Sequence, residues 1–244
     1  MILIGTPSCN GTVTINYLRS LLGLIDLCRL AKVGTGYLPL AYDSLIPRAR
    51  NCIANDFLRQ KEYSHLLFID ADLGFPADAA LRYLRSDKDV VCGVYPVKHL
   101  DVEALRRMPG NVSGAEALAA SLTYTARLKS GGVADQGLVP AEYGSAGFMM
   151  MKRQVLTRMA EAYPELRYAN SGDEEGGNWA FFDTCIDPQT RDYLPEDYAF
   201  CKRWTALGGE IHADVLSRFS HSGNCDYLGD YPAHLKNARA GREG

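Results

Sequence analysis

Two hydrophobic patterns alternate along the 244 residues. Residues 1–4 read as a short strand and the apolar runs at 66–69 and 90–95 as buried strands, the first of these covered on both faces, joined by an apolar strand within 142–151 and an alternating one at 210–216. Between them apolar residues recur at helical spacing. Residues 12–32 carry Leu18, Leu21, Leu22, Ile25 and Leu30, and a helix opened by Pro47 carries Ala49, Ile53 and Phe57. Residues 77–85 use Ala80, Leu81 and Leu84, and a further helix uses Val155, Leu156, Met159 and Tyr163. The helix begun at 195–197 uses Phe200, Cys201, Trp204 and Leu207 before Gly208-Gly209 stops it. Strands alternating with helices predict an α/β fold, a mostly parallel sheet flanked by helices in a single domain.

In such sheets ligands bind beyond the carboxyl ends of the strands, so the residues there matter most. The first strand stops at Gly5-Thr6-Pro7-Ser8, where Thr6 and Pro7 either frame a flat base or make a plain turn. The strand at 66–69 ends in Asp70-Ala71-Asp72, two carboxylates that are costly side by side unless positive charge lies between them. Arg48, Asn51 and Asn55 share a polar helix face; Arg48 and Arg50 in a first turn oppose the helix dipole and require an anion, either a phosphate or a structural carboxylate. Lys98 follows a strand end and meets a phosphate, an acceptor or only water. Gly144 and Gly147 permit close approach of a ligand or of another backbone. Met149, Met150 and Met151 read as core. Glu196 and Asp197 stabilise a first helical turn whether or not they do chemistry.

Three stretches fall outside this pattern. Residues 101–132 are Ala-rich and helix-favouring and read, out to 140, as an insertion; 171–177 form a polar, glycine-rich loop; the tail after Tyr231 reads as surface-bound or frayed.

A net charge of -3 and a pI near 6.0 give no global basic field, which argues against nucleic acid as the partner. Seven scattered cysteines without C-x-x-C spacing predict reduced thiols in a cytoplasmic protein. With no basic leader and no apolar run of ~20 residues, neither a signal peptide nor a membrane span is expected.

D-x-D at a strand end has three readings: a Mg²⁺ or Mn²⁺ site shared with a diphosphate, the nucleophile Asp70 of a haloacid-dehalogenase-type phosphohydrolase, or a capped turn. Thr6-Pro7, the 44–51 segment, Ile69-Asp70-Ala71-Asp72, Gly147-Phe148-Met149, Glu196-Asp197 and Phe219-Ser220-His221-Ser222-Gly223 occur in the order seen in GT-A-fold glycosyltransferases. The chain resembles that superfamily over most of its length.

The resemblance implies a GT-A, Rossmann-like sheet with residues 1–100 as the nucleotide-binding half, 101–140 as a variable insertion, 141–230 as the acceptor and metal half, and 231–244 as a tail. It implies transfer of a sugar from a nucleotide-diphospho-sugar, UDP favoured over GDP, to a hydroxyl of a glycan, lipid-linked or small-molecule acceptor. Asp72 would be the principal ligand of Mn²⁺ or Mg²⁺, with Asp70 on the ribose or, through water, on the metal, and His221 a further ligand. Thr6, Pro7, Arg48, Asn51 and Ala71 would contact the nucleotide; Ser222, Gly223 and Tyr227 would lie beside the diphosphate; Gly147 and Phe148 would wall the donor sugar. Asp197 or Glu196 would be the general base of an inverting transfer, or would orient substrates in a retaining one. A non-catalytic sugar-nucleotide-binding protein is the remaining alternative. A nucleotidyltransferase is disfavoured, because the Gly-rich loop with its trailing Arg is missing after the first strand.

Overall fold

The computed structural model describes residues 1–108, 110–169 and 177–240, so the loop expected at 171–177 lies, apart from Gly177, outside the described residues. The chain opens with β1 (Ile2–Ser8), α1 (Ile15–Leu30), β2 (Thr35–Ala41), α2 (Ile46–Arg59), β3 (His65–Ile69) and the short β4 (Leu73–Gly74). Next come α3 (Ala79–Ser86), β5 (Val90–Gly93), β6 (Pro96–Leu100), α4 (Val102–Arg106), α5 (Gly114–Ala120), β7 (Leu122–Tyr124) and β8 (Ala126–Leu128). The remainder is β9 (Leu138–Gly144), β10 (Phe148–Lys152), α6 (Arg153–Ala162), β11 (Arg167–Tyr168), β12 (Asn178–Trp179), β13 (Cys185–Ile186), β14 (Tyr193–Leu194), α7 (Glu196–Ala206), β15 (Ile211–Asp214), β16 (Ser220–Ser222), β17 (Asp226–Leu228) and α8 (Tyr231–Ala240).

The central sheet has eight strands in the order β2-β1-β3-β10-β5-β15-β9-β8. Its pairings leave six strands pointing one way, with β10 and β9 reversed. Strand residues alternate between two cores, as the two-residue period of a strand requires. On one side Leu66, Phe68, Met149 and Met151 pack with Ile53 and Phe57 of α2, Val155 of α6 and Trp204 of α7. On the other Leu67, Ile69, Phe148 and Met150 pack with Tyr17 and Leu24 of α1 and Tyr83 of α3. The result is a helix–sheet–helix sandwich, and it explains why the strands at 66–69 and 90–93 are apolar at consecutive positions.

Several expectations change. β1 continues through Ser8, because Gly5-Thr6-Pro7-Ser8 pairs with β2 and is buried. Helix α1 is capped by Thr14 and buries Tyr17, Leu21, Leu24 and Cys28, leaving Leu18, Leu22, Ile25 and Leu30 exposed. Both rows have helical spacing, so periodicity could not choose between them. Residues 101–140 are not wholly an insertion: β8 and β9 extend the central sheet, while β7 pairs with β6. The tail forms α8, whose Tyr231 and Ala233 are buried.

Candidate functional site

β1 and β3 run parallel, so the residues following both strands open on one rim of the sheet. A pocket of about 350 Å³ lies there, lined among others by Pro7, Ser8, Asn10, Ile46, Asp70, Ala71, Asp72 and His221. The loop before α1 closes one wall: the Thr14 amide donates to the Ala71 carbonyl (2.9 Å), and the Ser8 hydroxyl donates to the Thr12 carbonyl (2.7 Å).

His221 reaches the two aspartates through β16. That strand pairs antiparallel with β4, setting His221 opposite Leu73, and the Ser222 amide donates to the Asp72 carbonyl at 2.9 Å. The imidazole Nδ1 lies 2.8 Å from the Pro96 carbonyl, which only accepts, so Nδ1 carries the hydrogen. Nε2 is then turned to Asp72 Oδ1, 3.4 Å away. Lys98 Nζ holds the other oxygen, Oδ2, at 2.5 Å. Burial raises the Asp72 carboxyl, but the hydrogen bonds from His221 and Lys98 outweigh it and the net shift is downward.

Asp70 is occupied differently. The guanidinium of Arg50, buried in α2, donates through Nη2 to both Asp70 oxygens (2.9 and 3.1 Å), through Nε to Glu196 Oε1 (3.3 Å) and through Nη1 to the Ala146 carbonyl (3.3 Å). Burial alone would lower the Arg50 pKa, but the charges of Asp70 and Glu196 reverse this and hold it protonated. Glu196 has the opposite balance: burial raises its carboxyl more than Arg50 lowers it. One buried cation thus joins residues separated by more than a hundred positions in the chain.

The other residues singled out in the sequence are held by contacts within the fold. Thr6 is fully buried and its hydroxyl shares a hydrogen bond with Tyr17. Arg48 pairs with Asp43 (2.8 Å) at the surface, so a carboxylate meets its charge in the first turn. Asn51 is buried and its Oδ1 accepts from the Phe182 amide (2.8 Å). Phe148 is fully buried against Phe75, Tyr83 and Phe219, on the core side of β10, so it does not wall a sugar. Gly147 does stand at the rim: a Cβ there would meet the Tyr95 hydroxyl at 2.2 Å and Asp70 Oδ2 at 2.9 Å. Asp197 is buried and accepts from the Ser145 hydroxyl (2.7 Å) and the Tyr198 amide (2.8 Å), so it is turned into the fold, whereas Glu196 stands beside Arg50, the cation it shares with Asp70. Ser222 receives the Asn16 side-chain amide (3.2 Å) and donates to Asp226 (2.6 Å). Gly223 makes room for the Lys98 stem, whose Cδ would lie 3.0 Å from a Cβ, and Tyr227 stands opposite His221 in β17.

The structure therefore brings Asp70, Asp72 and His221 together, but their donor set does not fit a divalent ion as arranged. Both Asp70 oxygens are committed to Arg50, and one Asp72 oxygen to Lys98, leaving one carboxylate oxygen and one imidazole nitrogen. Among the described residues no group of three or more His, Cys, Asp or Glu side chains is arranged to hold a metal. Arg50 and Lys98 are the cations that the structure sets on the two aspartates and that the motif itself does not contain. The signal for Arg50 was its misplaced charge in a first helical turn; Lys98 gave none beyond its position after a strand.

No family model and no curated protein matches the chain. Among solved structures it is similar to A197 from STIV, at 17% identity over 91% of this chain and 85% of that one, with a TM-score of 0.50. It is also similar to UDP-glucose pyrophosphorylase complexed with UDP-glucose, at 8% identity over 100% and 99% of the two chains with a TM-score of 0.43. A glycosyltransferase involved in the glycosylation of the major capsid of PBCV-1 shares 10% identity over 67% of this chain and 65% of that one, with a TM-score of 0.34. The fold is GT-A-like, a single α/β domain around a large, mostly parallel sheet. Among the described residues no helix is long and apolar enough to cross a membrane.

Proposed function

We propose that this protein transfers a sugar from a nucleotide-diphospho-sugar, of the UDP type, to an acceptor hydroxyl. The observation that carries the reading is the rim pocket, where the D-x-D aspartates, His221 and, through Arg50, Glu196 converge at the ends of parallel strands. Pro7 and Ile46 offer the pocket an apolar surface suited to a flat base. In this reading Asp70, fixed by Arg50, serves the ribose, and Asp72, held by Lys98 and His221, serves the diphosphate.

Glu196 is the general base of this reading. Burial raises its carboxyl above that of an ordinary glutamate, which strengthens its affinity for the acceptor proton. Asp197 holds the first turn of α7 in register through Ser145. The charge that develops on the leaving diphosphate is met by fixed donors at the rim, which need no rearrangement as it forms.

A phosphohydrolase with Asp70 as nucleophile is disfavoured, since a carboxylate whose two oxygens both accept from a buried guanidinium is a weak nucleophile. Calorimetric titration with UDP and GDP, each with EDTA and with Mn²⁺, tests the transferase reading. UDP is expected to bind, and Asp72→Ala to weaken it. If neither nucleotide binds under any condition, the reading is wrong; binding without donor turnover would mark a sugar-nucleotide-binding protein.

A further inference from the structure

We propose that Lys98 is the diphosphate-binding cation of this site, standing where the D-x-D resemblance implies a divalent ion. The inference rests on the transferase reading for the nature of the ligand, but on its own geometry for the residue.

Three observations carry it. Lys98 Nζ sits on Asp72 Oδ2 at 2.5 Å, so the carboxylate best placed to receive a metal already has a counter-charge. The position is built: the Lys98 stem lies across Gly223, where any side chain would press on its Cδ at 3.0 Å. The same strand, β6, carries Pro96, whose carbonyl orients His221 toward the other Asp72 oxygen. One strand therefore supplies the cation and aims the imidazole around a single carboxylate.

The ammonium has three donors, and Asp72 takes one. With its side chain 38% exposed, Lys98 can direct the others outward to an arriving diphosphate without leaving Asp72. Asp72 then holds the ammonium in place, as Glu196 and Asp70 hold Arg50. Loss of Lys98 would leave the Asp72 carboxylate facing the phosphates with its charge answered only by His221.

The test uses the full chain, with inorganic pyrophosphate and UDP as separate probes, titrated in EDTA and again with Mn²⁺. Wild type is expected to bind both probes in EDTA, with little change on adding Mn²⁺. Lys98→Met should weaken both by about tenfold or more, the loss expected for one charge-assisted contact, and Lys98→Arg should recover most of it. Thermal melting of both variants verifies that they fold. Binding that appears only with Mn²⁺, or a Lys98→Met variant that binds pyrophosphate as wild type does, overturns the proposal. If UDP binds only with Mn²⁺, the transferase reading survives and the lysine proposal fails. If pyrophosphate depends on Lys98 but UDP binds no better than pyrophosphate, the lysine stands and the nucleotide-sugar reading fails.

Discussion

Two arginine–carboxylate networks sit at strand ends of the same sheet, and they are built inside out relative to each other. At the end of β3 the cation is sealed and the anion looks outward: the Arg50 side chain is 4% exposed and that of Asp70 is 27%. At the end of β15 the anion is sealed and the cation looks outward: Asp214 is fully buried and Arg82 is 24% exposed. Asp214 accepts from Arg82, the Tyr83 hydroxyl and the backbone amides of 216 and 217, all within the fold. The difference teaches what a buried ion pair offers to a ligand. Sealing the carboxylate makes an anchor between α3 and the sheet; sealing the guanidinium leaves a held carboxylate on the pocket wall.

The contrast has measurable consequences. The largest is expected at the closed network: Asp214→Ala leaves Arg82 and Tyr83 without their shared acceptor and should cost about 3–5 kcal/mol in urea unfolding. Glu196→Gln should lower donor-dependent turnover by about a hundredfold or more while UDP affinity stays near wild type, as for removal of a general base. If turnover survives, the acid beside Arg50 is there only for charge balance. Asp70→Ala should cost less than Asp214→Ala, about 1–3 kcal/mol, because Glu196 and the Ala146 carbonyl still satisfy Arg50. Equal losses in the two alanine variants would erase the distinction drawn between the networks.

The smallest effect is in pH dependence, and it differs in sign. Asp214 is raised by burial but lowered further by its hydrogen bonds, so its folded pKa lies below the unfolded value. Its stabilisation is complete above about pH 4 and fades as pH falls through the folded value. Glu196 is shifted upward, so the folded state holds its proton more tightly, and stability declines as pH rises from about 4.3 to the raised value. Unfolding followed from pH 3 to 7 should show the declining component vanish in Glu196→Gln and the acid-side loss shrink in Asp214→Ala.

Neither network was visible as such in the sequence. Asp70 stands out because its neighbour Asp72 makes a motif, whereas Asp214 is one polar position inside the alternating stretch at 210–216. Arg50 was noticed only as a charge on the wrong end of a helix, and whether a phosphate or a carboxylate answered it could not be read. The helical row of α1 was misassigned for a similar reason, since Leu18, Leu22 and Ile25 are as periodic as Tyr17, Leu21 and Leu24. A period states that a face is apolar; which of two apolar faces meets the sheet depends on what the sheet presents.

The sequence by itself determined the α/β alternation, the doubly covered strands, the core of α2 and α7, and the strand end at Asp70-Ala71-Asp72. These follow from local spacing, which the chain carries at every position. Only the tertiary structure decided what neutralises that strand end. Arg50 comes from α2, Lys98 from β6, and His221 from β16 by its pairing with β4. Charge acts through space, so the partners of Asp70 and Asp72 were fixed by the packing of the sheet and not by any motif around them.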